Sequence, residues 1–131
     1  GNIIKYRNNV TILDGAHNID GAVVIRKFLE KQTSPKWNLI IGMMNNRDIK
    51  QFVTEFKNYI KDTFTIPIKN QVSASHPNEL ALELNKLGLR SYPTFSLEHA
   101  LKISNRDIPL LITGSLYLAG EVLEFNNTVI K

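Results

Sequence analysis

The sequence predicts an α/β domain, a Rossmann-like three-layer fold with a mostly parallel sheet and one antiparallel edge strand. Three observations predict it. Short β-rich runs alternate with segments whose apolar residues recur at helical spacing. Two of the runs, Asn38-Leu39-Ile40-Ile41 and Pro109-Leu110-Leu111-Ile112-Thr113, are almost continuously apolar, as strands covered on both faces are. Finally, Leu13, Ile41 and Thr113 each close a strand run shortly before a helical pattern starts.

The elements follow in order. Ile3-Ile4-Lys5-Tyr6 and Val10-Thr11-Ile12-Leu13 read as neighbouring strands, with turn chemistry at Asn8-Asn9. Ile19 to Lys31 reads as a helix that turns Val23, Val24, Phe28 and Leu29 toward the core. The strand Asn38 to Ile41 stops at Gly42. Asp48 can cap a helix reaching Ile60, with Ile49, Phe52, Val53 and Phe56 on one face. Phe64-Thr65-Ile66-Pro67-Ile68 is strand-like, and Pro67, which has no N–H for a ladder, marks an edge or a strand end. His76-Pro77-Asn78 opens a helix carrying Leu80, Leu84 and Leu87 and ending at Gly88. Ser96 caps a short helix, Pro109 to Thr113 is the last buried strand, and Ser115 to Phe125 reads as a final helix.

The chain has 131 residues, enough for one domain that buries roughly 65–70% of its unfolded surface. With 43% apolar and 21% charged residues it has the composition of a packed globule rather than a disordered segment. It has no cysteine, which excludes disulfides and thiolate metal sites. No apolar run approaches the roughly 20 residues of a membrane helix, and no signal-peptide pattern opens the chain. A cytoplasmic location is therefore expected. The formal charge of +4 comes from scattered Lys and Arg, not interleaved with aromatics, so no nucleic-acid partner is expected. The chain begins with Gly rather than Met, as expected of a segment of a longer product or of a leading Gly left by a tag.

Leu13-Asp14-Gly15-Ala16-His17-Asn18, with Gly21 after it, spans a strand-to-helix turn, the place where open α/β sheets bind ligands. N–H groups at the helix start favour an anion there. Asp14 can accept hydrogen bonds from hydroxyls, and His17 can donate to a phosphate or hold a carboxylate. The same residues have a simpler reading, in which Asp14 and Asn18 cap the helix and His17 lies beside them.

This motif resembles the signature that opens the C-terminal domain of folylpolyglutamate and dihydrofolate synthases, of the Mur ligase superfamily. Two further stretches match in order. Gly42-Met43-Met44-Asn45-Asn46-Arg47-Asp48 is similar to the family's Gly-Met segment and Lys-Asp pair, with Arg47 in place of Lys. Thr113-Gly114-Ser115-Leu116-Tyr117-Leu118-Ala119-Gly120-Glu121-Val122-Leu123 is similar to its closing Thr/Cys-Gly-Ser turn. Gly1-Asn2 stands where the family often has Gly-Arg. The resemblance runs from Leu13 to Leu123, nearly the whole chain.

The resemblance implies that residues 1–131 are one glutamate-ligase domain whose partner, an N-terminal ATP-binding domain of the same polypeptide, is not in this chain. It implies ATP-driven addition of L-glutamate to dihydropteroate or a folate through an acyl phosphate. ATP and Mg2+ would be held mostly by the other domain; this chain has no P-loop sequence, and no metal ligands are expected in it. Asp14, His17 and Asn18 would meet the nucleotide, with Asp14 on the ribose and His17 near the reacting groups. Ser115, Gly114 and Tyr117 would hold glutamate, and Arg47 and Asp48 would line the cleft. For Ser115 a plain helix cap, and for Arg47 and Asp48 a surface ion pair with a cap, remain open readings. His76, His99, Met43 and Met44 read as structural. Three other readings remain: a different Mur-type amino-acid ligase, a Rossmann-like binding module without catalysis, or a degenerate ligase that has lost catalysis, which Asn2 in place of the usual Arg slightly supports. The binding module lacks the Gly-x-Gly-x-x-Gly it would need.

Overall fold

A computed structural model of the chain describes residues 3–7, 10–13 and 18–114. Among these residues six strands form one sheet: β1 (Ile3–Arg7), β2 (Val10–Leu13), β3 (Trp37–Ile41), β4 (Ile60–Thr65), β5 (Arg90–Pro93) and β6 (Leu110–Thr113). Their spatial order is β1-β2-β6-β3-β4-β5. β1 runs antiparallel to β2, and every other neighbouring pair is parallel. Among the described residues four α-helices connect them: α1 (Ile19–Glu30), α2 (Ile49–Thr54), α3 (Pro77–Lys86) and α4 (Leu97–Ile103).

The pleat divides the core in two. Trp37, Leu39, Ile41 and Leu111 point to one face, where they pack with Ala22, Ile25 and Leu29 of α1, Phe52 and Val53 of α2, and Leu80 and Leu84 of α3. Ile40, Leu110 and Ile112 point to the other face and meet Leu97 and Ala100 of α4. This split follows from chain direction. The chain moves from β2 past the place of β6 to β3, then β4, then β5, and right-handed crossovers in one direction put their helices on one side. After β5 it reverses to reach β6, so α4 must cross on the opposite side.

Several expectations are corrected in detail. The buried stripe of α1 is Ala22, Ile25 and Leu29, while Val24 is exposed and Val23 and Phe28 are half-buried. Phe28 instead meets Trp37 edge-to-face, with ring centroids 5.7 Å apart. The helix begun by Asp48 does not reach Ile60. It ends at Thr54, a 3-10 turn covers Lys57–Tyr59, and Ile60 already belongs to β4. β4 ends at Thr65, so Pro67 marks a strand end rather than a sheet edge. The edge strand β5 carries no continuous apolar run, and the sequence does not announce it. The expected helix 115–125 lies outside the described residues.

Two polar devices shape the sheet. The β3–β4 register slips between Trp37 and Leu39, and the Asn38 side-chain oxygen accepts the Asp62 N–H there at 3.1 Å. At the exit of β4, the Thr65 hydroxyl donates to the Pro77 carbonyl at 2.7 Å, and the Thr65 carbonyl accepts both the N–H and the hydroxyl of Thr94 at 2.9 Å. On the surface, Arg26 joins α1 to the segment after α2. The hydrogen bonds its guanidinium donates, first to the Glu55 carboxylate and then to Glu30, raise its pKa above the ordinary range.

Candidate functional site

The three motif segments leave the sheet from three strands that stand side by side. Ile12 of β2 is level with Ile112 of β6, which is level with Ile40 of β3. Leu13, Thr113 and Ile41 therefore end at one rim, with β6 in the middle. This rim is also where the connections reverse direction, since the chain leaves β2 toward β3 but returns to β6 from β5. Such a switch point opens a crevice at the carboxyl ends of parallel strands.

Asn18 caps α1: its side-chain oxygen accepts the Gly21 N–H at 2.9 Å, and the side chain is exposed. Asp14, His17, Ser115 and Tyr117 lie outside the described residues. In sequence, Asp14 follows directly on β2, and Ser115 follows Gly114 after β6.

Gly114 is buried, with φ +127°, a backbone conformation L side chains rarely adopt. A Cβ on it would run into the Gly42 carbonyl oxygen and come within 3.1 Å of Ile41 Cγ1. Because Ile41 pairs with Thr113, Gly42 and Gly114 leave neighbouring strands side by side. The missing side chain of Gly114 lets the exits of β3 and β6 approach more closely than a Cβ there would permit.

The segment after Gly42 is pinned from the side. Asn45 N–H donates to the Ser73 carbonyl and Ser75 N–H to the Met43 carbonyl, both at 2.8 Å, and Met44 bridges Ala74. Asn70 turns the incoming loop with φ 62°. Met43 is buried in the core. Asp48 caps α2, its carboxylate accepting the Gln51 N–H at 3.0 Å. Arg47 is exposed, and no ion pair joins it to Asp48, so the ion-pair reading of these two is dropped. Sequence reasoning missed the strap formed by 69–75; its only signal was Asn70, a residue suited to turns.

His76 caps α3, its Nδ1 accepting the Asn78 N–H at 3.1 Å. His99 accepts the Phe95 N–H at Nδ1, also at 3.1 Å, and stacks on the Phe95 ring. Both imidazoles organise helix starts. Among the described residues no three His, Asp or Glu side chains gather where they could hold a metal ion. No helix among them is long and apolar enough to cross a membrane. A shallow cleft lined by Lys36, Lys61, Asp107 and Pro109, among others, lies at the opposite end of β3, β4 and β6. It receives none of the motif segments.

A comparison with curated proteins gives no significant match. Among solved structures, the chain is similar to Mycobacterium tuberculosis folylpolyglutamate synthase complexed with ADP and AMPPCP, at 18% identity and a TM-score of 0.82, covering 94% of this chain and 31% of that one. It is similar to Thermotoga maritima folylpolyglutamate synthase at 22% identity and a TM-score of 0.79, covering 99% and 30%. It is also similar to E. coli FolC in complex with DHPP and ADP, at 18% identity and a TM-score of 0.79, covering 99% and 31%. These likenesses show a shared α/β fold, and the chain spans under a third of the length of each of these proteins. The family model described as "Dihydrofolate synthetase, C-terminal domain" matches residues 2–125. The chain belongs to that family.

Proposed function

We propose that this domain is the glutamate-ligase half of an ATP-dependent folylpolyglutamate or dihydrofolate synthase. The observation that carries the reading is the shared rim: the three segments resembling the family's motifs leave β2, β6 and β3, three adjacent parallel strands at a switch point.

In the reaction so assigned, a carboxylate oxygen of dihydropteroate or folate attacks the γ-phosphorus of ATP, and ADP leaves. The amine of L-glutamate then attacks the acyl carbon, inorganic phosphate departs, and the amine loses a proton as the amide forms. Such a site works by positioning and by stabilising charge. Asp14 would contact the nucleotide ribose, and His17 and Asn18 would approach the phosphates or the incoming amine. Gly114, Ser115 and Tyr117 would hold glutamate, and Arg47 would face the cleft. Asp48 is engaged as a cap and serves the rim by fixing the start of α2. The described residues do not fit a Mg2+ site, so no step here runs through the ion. The nucleotide and its ion would be carried by a second, N-terminal domain. Relatives crystallised with ADP or, as for the Yersinia pestis synthase, with AMPPNP and Mn support the use of a nucleotide and a divalent ion by the whole protein.

The test is Asp14→Ala and His17→Ala in the full-length polypeptide. Both should lower kcat/KM for glutamate addition while leaving the thermal midpoint unchanged, because turn residues at a strand end need not fill the core. Wild-type kcat/KM in both variants would reduce the motif to a helix cap.

A further inference from the structure

We propose that Gly42 is a positioning residue for the amino-acid substrate, acting through the Gly114 turn and backed by Ile66 and Ile68; this rests on the ligase reading above. The Gly42 carbonyl oxygen occupies the place a Gly114 side chain would take, so any movement of the Gly42 peptide is passed directly to Gly114. Gly114 immediately precedes Ser115, the residue assigned to a glutamate carboxylate.

Gly42 is itself hemmed in from behind. A Cβ on it would lie 3.1 Å from the Ile66 carbonyl oxygen, 3.2 Å from Ile68 Cγ1 and 3.4 Å from Ile66 Cγ1. Those neighbours have little room to yield. Ile66 and Ile68 are both buried, and Ile66 N–H donates to the Ile41 carbonyl at 3.0 Å, which fixes the Ile66 peptide against β3. The far side of the segment is held as well, by the Ser75 N–H donating to the Met43 carbonyl and the Asn45 N–H donating to the Ser73 carbonyl. A single methyl at Gly42 is therefore accommodated by moving the Gly42 peptide a few tenths of an ångström, and the side left for that movement is toward Gly114. The glycine at position 42 thus sets the height of the Gly114 turn relative to the sheet rim. It touches no substrate. Because the Gly114 turn bears on glutamate and not on the nucleotide in this reading, the effect is selective for one substrate.

The experiment is steady-state kinetics on the full-length protein with ATP, a folate or dihydropteroate acceptor and L-glutamate, beside thermal melts. Gly42→Ala should raise the KM for glutamate about tenfold, in proportion to the hundredfold that a displacement of about 1 Å can cost. The KM for ATP and kcat should stay within about threefold of wild type. Gly42→Ala/Ile68→Ala, which removes the Ile68 Cγ1 from behind the new methyl and leaves the Ile66 carbonyl, should bring the glutamate KM back part of the way toward wild type, to about threefold above it, even though its melting temperature falls. The double variant also decides the matter where Gly42→Ala does not fold. A double variant that folds with the raised glutamate KM, or a Gly42→Ala protein with wild-type glutamate KM, overturns the proposal. A wild-type protein that adds no glutamate at all refutes the ligase reading itself, which is a separate outcome.

Discussion

The carbonyl oxygen of Gly42 sits where the side chain of residue 114 would begin, and Gly114 has the positive φ that leaves it there. The two glycines lie 72 positions apart in the sequence, yet the backbone of one takes the space that a side chain on the other would need. Replacing Gly114 by Ala should therefore cost far more than an ordinary loop substitution. The backbone penalty alone is about 1–3 kcal/mol, and the overlap with the Gly42 peptide adds to it. Urea unfolding should show a loss of at least about 2 kcal/mol; an unchanged midpoint would mean that the turn relaxes freely.

Two threonines on β4 should respond oppositely to the same substitution. The Thr63 hydroxyl is buried with no hydrogen-bond partner among the described residues, so Thr63→Val should be neutral or stabilise the fold by about 1 kcal/mol. The Thr65 hydroxyl donates to the Pro77 carbonyl at the start of α3, so Thr65→Val should destabilise by about 1–3 kcal/mol. Equal effects of one sign in denaturant titrations would contradict these assignments.

Arg47 and Asp48 should separate in the same way, by function rather than sign. Asp48→Ala removes the cap of α2 and should cost about 1 kcal/mol of stability. Arg47→Ala should leave stability within about 0.5 kcal/mol, since its exposed side chain makes no ion pair among the described residues. In the full-length protein Arg47→Ala should nonetheless lower kcat/KM. Unimpaired catalysis in that variant would take Arg47 out of the cleft.

The 131-residue chain should fold alone and fail to catalyse. Its two core layers are closed by its own helices, but the described residues supply neither a triphosphate cradle nor a metal cluster. Calorimetric titration should show ATP and glutamate binding at about millimolar Kd or weaker, equivalent to about 4 kcal/mol or less. Micromolar ATP binding, or phosphate release above background by this chain alone, would favour a free-standing nucleotide-binding module.

What the sequence made legible was set by how strongly each residue declared its environment. β3 and β6 were plain because Leu39, Ile40, Ile41, Leu110, Leu111 and Ile112 have no polar alternative. β5 was hidden because only Ser91 of Arg90-Ser91-Tyr92-Pro93 is buried, as suits an edge strand. The boundary of β4, expected at Phe64 and found at Ile60, was misplaced because Lys61, Asp62 and Thr63 carry no apolar signal; the Asn38 side chain accepts the Asp62 N–H there, where the β3–β4 register slips. The core face of α1 was drawn partly wrong because Ala22 carries little hydrophobic signal and Val24 carries a misleading one. At the rim, Asp48 as a cap was readable from its type and place, whereas the strap of Ser73–Ser75 on Met43–Asn45 was not. Main-chain pairing between two loops leaves almost no trace in side-chain pattern.

The position of β6 has a consequence for how the molecule comes into being. β6 is the last described strand to leave the ribosome, yet it fills the middle of the sheet, between β2 and β3. Until Leu110 emerges, those two strands present open edges facing a gap, each able to recruit a foreign strand. The decisive pairing joins residues about 70 to 100 positions apart, so the loop-closure entropy is met late and the folding step is slow. A truncation that removes Leu110–Thr113 therefore takes out the keystone rather than an outer stone, and nascent chains of that length should be the ones most in need of a chaperone.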